Sequence, residues 1–150
     1  MTILVADVGG TNTRLALVDA ATEVPVSVHY LNDAFDTFPA LLAAFAGERR
    51  LPTLDGFCIA VAGPVTSDTA RLTNRNWHFD RAEIADLLPG LTFGSVRLIN
   101  DLAALGYALP ALTAAQLSEI KPPVSGTAAN DQALVVGLGT GVNTCLVKTT

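Results

Sequence analysis

A chain of 150 residues, half of them hydrophobic and only 15% charged, falls in the one-domain range and holds enough apolar material for a real core, which excludes a disordered chain. Its formal charge of −5, without clusters of Lys or Arg, argues against nucleic acid as the main partner, while a small phosphate ligand held by loops and a metal ion stays open. No run of about 18 apolar residues occurs and no basic segment precedes a hydrophobic one, so the reading is a soluble, cytoplasmic protein without a membrane partner.

In chain order, residues 3–8 and 13–19 predict paired strands and residues 24–31 a third, antiparallel because the connections are short. Phe38, Leu41, Leu42 and Phe45 recur at i, i+3, i+4, i+7 and predict a helix, with Thr37 as cap, Pro39 in the first turn and Gly47 near the stop. Residues 57–62 form a continuous apolar run, the pattern of a strand covered on both faces. Gly63-Pro64 breaks it, and 70–73 reads as a short extended piece leading into 74–79. Asp80 then caps a helix, with Glu83 completing a capping-box pattern, Ile84, Leu87 and Leu88 as the apolar stripe and Pro89-Gly90 as the stop. Residues 96–99 predict another buried strand, running straight into Asn100-Asp101 and a helix through Leu109 that Pro110 ends. Thr113 with Gln116 marks one more short helix, and 121–130 is a polar linker. Two strands, 133–136 and 142–147, close the chain around Gly137-Leu138-Gly139-Thr140-Gly141.

This order implies an α/β fold: a mixed five-stranded sheet with helices on both faces over residues 1–120. Residues 121–150 then read as a linker and the first hairpin of a second lobe that is not finished. Cys58 and Cys145 lie far apart, each in an apolar run, which fits buried reduced thiols better than a disulfide or a metal site.

Three polar loops stand at the ends of apolar strands. In Asp7-Val8-Gly9-Gly10-Thr11-Asn12 two glycines let backbone N–H groups converge on an anion with no Cβ in the way, and Asp7 is a hard oxygen ligand suited to Mg²⁺. The same residues also read as an ordinary hairpin turn. Asn100-Asp101 leaves the carboxyl end of a buried strand, where ligands of α/β sheets collect. Asp101 reads either as a helix cap or as a carboxylate base, with Asn100 orienting the hydroxyl whose proton the carboxylate accepts. The Gly137–Gly141 stretch fails as a dinucleotide fingerprint, having G-x-G-x-G spacing, no following helix and no P-loop lysine. A second phosphate-cradling turn and a plain hairpin turn remain equally good readings of it. His29 and His78 have no partners at ligand spacing and read as structural, Trp77 as a core or cleft residue, and Asn74 as a turn residue. No Ser-His-Asp or Cys-His arrangement is visible in the sequence.

Asp7-Val8-Gly9-Gly10-Thr11-Asn12-Thr13-Arg14, Ala60-Val61-Ala62-Gly63-Pro64-Val65, Thr73-Asn74-Arg75-Asn76-Trp77, Leu98-Ile99-Asn100-Asp101 and Gly137-Leu138-Gly139-Thr140-Gly141 occur in this order. Together they closely resemble the amino-terminal part of bacterial glucokinases, within the hexokinase–actin–Hsp70 superfamily. The resemblance implies a ribonuclease-H-like lobe of the actin-like ATPase fold, ATP and Mg²⁺ as cofactors, and transfer of the γ-phosphoryl group to the 6-hydroxyl of glucose. It implies Asp7, Gly9, Gly10, Thr11 and Asn12 as the first phosphate loop with Asp7 supporting the metal. Asp101 becomes the general base, Asn100 a sugar-hydroxyl ligand, and Gly139, Thr140 and Gly141 the second phosphate loop. A homodimer of the intact enzyme is the implied assembly.

Two departures stand out. Val142-Asn143 occupies a place where such kinases commonly carry another glycine, and the Glu-Gly-Gly-His stretch and adenosine segment of similar kinases are absent. Residues 1–150 alone are therefore expected to have little or no activity. A non-catalytic sugar- or nucleotide-sensing module, a kinase for another sugar and an acetate-kinase-like relative stand as the alternatives.

Overall fold

The computed structural model describes residues 1–21, 25–122, 124, 131–138 and 142–148. They fall into two compact units, Met1–Asp101 and Leu102–Thr150. The boundary expected after Ile120 thus lies inside the second unit.

The first unit opens with β1 (Thr2–Val8), β2 (Asn12–Asp19) and β3 (Val28–Leu31), an antiparallel meander as the short connections predict. The third strand begins at Val28 and not earlier. Pro25 has no N–H for a ladder, and residues 25–27 belong to no strand; Val24 lies outside the described residues. Helix α1 (Phe38–Gly47) follows, its Thr37 hydroxyl oxygen accepting the Ala40 N–H at 3.2 Å, with Pro39 in the first turn.

Strand β4 (Gly56–Val61) lies parallel to β1. It is less evenly covered than its apolar run predicts. Phe57, Ile59 and Val61 are buried, whereas Gly56, Cys58 and Ala60 are only partly covered, so its better-packed face carries the bulk and its other face the small residues. A two-stranded ribbon, β5 (Thr69–Arg71) with β6 (His78–Asp80), precedes helix α2 (Arg81–Leu87). Asp80 caps α2, one carboxylate oxygen accepting from the Ala82 and Glu83 N–H groups at 2.8 and 3.2 Å. The predicted stripe is shorter than expected: Ile84 and Leu88 are buried, but Leu87 is 41% exposed because the helix ends there and the chain extends at Leu88. Strand β7 (Val96–Asn100) then pairs parallel to β4, completing a mixed sheet in the order β3-β2-β1-β4-β7.

The core gathers on one face of this sheet. Leu4, Ala6, Val8, Leu15, Ile59 and Leu98 join Leu41, Leu42 and Phe45 of α1 and Ile84 of α2 in one buried cluster. Phe38 sits at its aromatic centre, 4.8 Å from the Phe79 ring, 6.2 Å from Trp77 and 6.4 Å from Phe57, centroid to centroid. Arg81 is the buried cation at the margin. Its guanidinium donates to the carbonyls of Val96, Ser67 and Phe93 at 2.9, 3.0 and 2.8 Å, pairs with Asp68 and lies over the Phe93 ring.

Helix α3 (Asp101–Ala108), whose first residue closes the first unit and whose remainder opens the second, stops one residue earlier than predicted, and Pro110 falls in a 3₁₀ turn over Leu109–Ala111. Thr113 and Gln116 cap each other around a second such turn, Ala114–Gln116. The hairpin β8 (Gln132–Leu138) with β9 (Val142–Lys148) is longer than the sequence predicts at both ends. Small residues let it close on α3: a Cβ built at Gly106 would lie 2.6 Å from Val147, and one at Gly137 would lie 2.9 Å from Leu102. Leu134, Leu138, Val142 and Leu146, on the other side of the hairpin, are all more than 60% exposed.

Candidate active site

Three parallel strands bring the first two polar loops to one end of the sheet. Val8 of β1 is paired with Val61 of β4, and Val61 with Asn100 of β7, so the chain leaves all three strands at the same level. The ladder continues for one more bond, the Ala62 N–H donating to the Val8 carbonyl at 3.0 Å. Two strand spacings separate the Gly9-Gly10 turn from Asn100-Asp101, a gap of about 10 Å. Asp101 occupies the first turn of α3 and is partly exposed. The Asn100 side-chain amide donates to the Gly63 carbonyl at 3.2 Å, tying the end of β7 to the break after β4.

Gly63 is required where it stands. A Cβ there would lie 2.0 Å from the Arg71 carbonyl oxygen, so only glycine allows β5 to press against this turn. Thr73 also reaches the turn, its hydroxyl donating to the Ala62 carbonyl at 3.3 Å.

The diglycine turn is tight and braced from beneath. The Gly9 N–H donates to the Asn12 carbonyl at 2.9 Å, closing the turn between β1 and β2. Asn32, fully buried just beyond β3, donates its side-chain amide to the Gly9 carbonyl at 2.8 Å and its backbone N–H to the Thr11 carbonyl at 2.9 Å. Its side-chain oxygen accepts the hydroxyl of Thr13, also fully buried, at 2.8 Å. Arg75 donates to the Gly10 carbonyl at 3.4 Å, pairs with Asp33 and lies over the Trp77 ring. Asn74 sits against Gly10, where an added Cβ would come within 3.4 Å of its side chain. Among the described residues the N–H groups of Gly10 and Thr11 have no acceptor. The carbonyls of the turn are thus all bonded, while two N–H groups are left as donors for an anion.

Asp7, the last exposed residue of β1, is half open to solvent and pairs across the sheet with Arg14, Nη1 to Oδ2, at 3.1 Å. No group of three or more His, Cys, Asp or Glu able to hold a metal occurs among the described residues. A single exposed carboxylate beside a phosphate-type turn suits Mg²⁺, which keeps most of its waters and takes one or two carboxylates together with substrate phosphates.

Of the remaining sequence-predicted residues, Asn12 lies at the start of β2 with its side-chain oxygen 2.8 Å from His29 Nε2, a structural role for that histidine. Trp77 is a core residue whose indole N–H donates to the Asp36 carbonyl at 2.8 Å. Gly139, Thr140 and Gly141 lie outside the described residues. Cys58 and Cys145 carry free, half-buried thiols, and loss of hydration pushes the Cys58 thiol above its ordinary pKa. Sequence reasoning missed Asn32 as a brace, since a lone Asn after a strand has no periodic signature, and it met Arg14 and Arg75 only as members of longer motifs.

Comparison with known proteins gives the family and the fold. The family profile described as Glucokinase matches residues 4–150. A glucokinase of Escherichia coli is 36% identical over 142 residues, a match covering 93% of this chain and 42% of the relative. The crystal structure of a glucokinase from an Antarctic psychrotroph superposes with a TM-score of 0.71 at 32% identity, covering 99% of this chain and 47% of that one. A Balamuthia mandrillaris glucokinase solved in complex with glucose shares the fold, with a TM-score of 0.74 at 24% identity over 98% of this chain and 44% of that one. The chain thus spans a little under half the length of the curated relatives it matches. With the sheet order, the braced diglycine turn and the profile match over nearly every residue in agreement, this chain belongs to the glucokinase family.

Proposed function

We propose that this chain is the amino-terminal part of a sugar kinase that transfers the γ-phosphoryl group of ATP to the 6-hydroxyl of glucose. One observation carries the reading: the β1–β4–β7 register sets the diglycine turn and Asn100-Asp101 at the same end of one sheet. Asp101 takes the proton of the sugar hydroxyl as that oxygen attacks phosphorus. Asn100, already fixed by Gly63, orients the sugar. The N–H groups of Gly10 and Thr11 receive phosphate oxygens, and Gly9 and Asn12 close the turn that presents them. Asp7 would hold Mg²⁺, which when bound offsets charge on the phosphates. Gly139, Thr140 and Gly141 are proposed as a second phosphate turn on their sequence alone. Positioning and charge stabilisation supply most of the acceleration in such a transfer.

In a protein that carries this sequence as its amino-terminal part, Asp101→Ala should lower kcat for glucose phosphorylation by about 100-fold or more in a coupled ATP/glucose assay. Near-normal turnover overturns the base assignment. The 150-residue chain by itself is proposed to lack turnover, because it covers only 42% of its relatives' length; vigorous phosphorylation by the isolated chain refutes that. Comparing glucose, mannose and acetate as acceptors separates a glucokinase from kinases of other substrates.

A further inference from the structure

Asn32 has no part in the chemistry just described, yet both of its donor groups, the side-chain amide and the backbone N–H, bond to the turn. It is wholly shielded from water, as is its partner Thr13. Its amide donates to the Gly9 carbonyl and its backbone N–H to the Thr11 carbonyl, so the two residues on either side of Gly10 are held by one residue from outside the turn. The Gly9 carbonyl, an acceptor only, selects the NH₂ end of the amide, and the Thr13 hydroxyl donates to the Asn32 oxygen on the other side. A buried amide with every group satisfied is costly to disturb and has one low-energy arrangement. A hydrophobic residue of similar size would fill the same space and keep the backbone bond to Thr11, but it would leave the Gly9 carbonyl unheld.

We propose that Asn32 is a positioning residue: by holding the Gly9 carbonyl with its side chain, it aims the N–H at the other end of the same planar peptide, that of Gly10, at an anionic ligand. The ligand side of this proposal rests on the reading of the turn as a phosphate loop; the clamp itself does not. Arg75 holds the Gly10 carbonyl, whose peptide partner is the Thr11 N–H, so three successive carbonyls of the turn are held.

Two substitutions separate positioning from simple filling. Asn32→Asp keeps the volume and the acceptor for Thr13 but places a carboxylate oxygen against the Gly9 carbonyl. Thr13→Val keeps the amide on Gly9 and removes only the hydroxyl. Amide hydrogen exchange on the full 150-residue chain, without ligand, reads the turn directly through the Gly9 N–H. In Asn32→Asp it should exchange at least about tenfold faster, while the Ala62 N–H, bonded to Val8, keeps its wild-type rate. Thr13→Val should change Gly9 much less. Unchanged Gly9 exchange in Asn32→Asp, or equal loosening of Gly9 and Ala62, overturns the proposal. Asn32→Ser, uncharged and smaller, should loosen Gly9 in the same selective way and replaces Asn32→Asp if that variant fails to fold.

The second measurement follows Gly10 and Thr11 amide resonances during titration with tripolyphosphate. Wild type and Thr13→Val should bind with similar affinity and Asn32→Asp about tenfold or more weaker. Equal affinity in all three overturns the positioning role. If wild type does not bind while Gly9 exchange responds as expected, the clamp stands and the phosphate-loop reading falls.

Discussion

At position 63 a single hydrogen decides whether the site can be built. The Arg71 carbonyl that a methyl group would strike is backbone, so it cannot swing aside as a flexible side chain would. Gly63→Ala should destabilise the chain by about 1–3 kcal/mol, the usual cost of overpacking, seen as a lower urea midpoint. Cys58 offers a chemical test at the same scale. Because its thiol pKa is raised, less thiolate exists at any pH below that value, and thiolate is the reactive form. Iodoacetamide should therefore modify Cys58 several times more slowly in the folded chain than in urea near pH 8. Asp7, Gly9, Gly10 and Asp101 stand out without coordinates because their residue types, placed at strand ends, suggest a chemistry. Asn32 was not, because its importance comes from burial and from three partners that only folding brings together.

At the scale of elements, both predicted helix caps are real, and they were legible because a cap is a local event. Thr37 and Asp80 each bond to N–H groups two or three residues ahead, within the reach of sequence reasoning. Asp80→Ala should cost about 1 kcal/mol and lower Tm by several degrees, with α2 the first helix to lose amide protection. Strand limits were harder to read. β3 loses its expected beginning to Pro25, while β8 and β9 extend past their apolar segments because a hairpin partner supplies hydrogen bonds whatever the side chains are. The even coverage predicted for β4 fails for a related reason: a continuous apolar run states that neither face is polar, not that both faces meet equal neighbours.

At the scale of the whole molecule, the two units differ in how they are buried. The first encloses a continuous cluster between a five-stranded sheet and two helices. The second rests on one helix and one hairpin, and that hairpin exposes a row of leucine and valine side chains. A two-stranded hairpin is marginal without such packing. Amides of β8 and β9 should exchange about tenfold or more faster than those of β1 and β4, measured on the same sample. Equal protection contradicts this.

Arg81 carries a consequence for how this family member can drift. Four acceptors surround one planar guanidinium, and three of them are main-chain oxygens whose places no neighbouring side-chain substitution can change. A lysine keeps the positive charge but converges its hydrogens at a single nitrogen, which cannot span those oxygens or stack on Phe93. The exchange usually called conservative would here strand carbonyls in the dry margin of the core, so charge alone is a poor guide to what position 81 will tolerate.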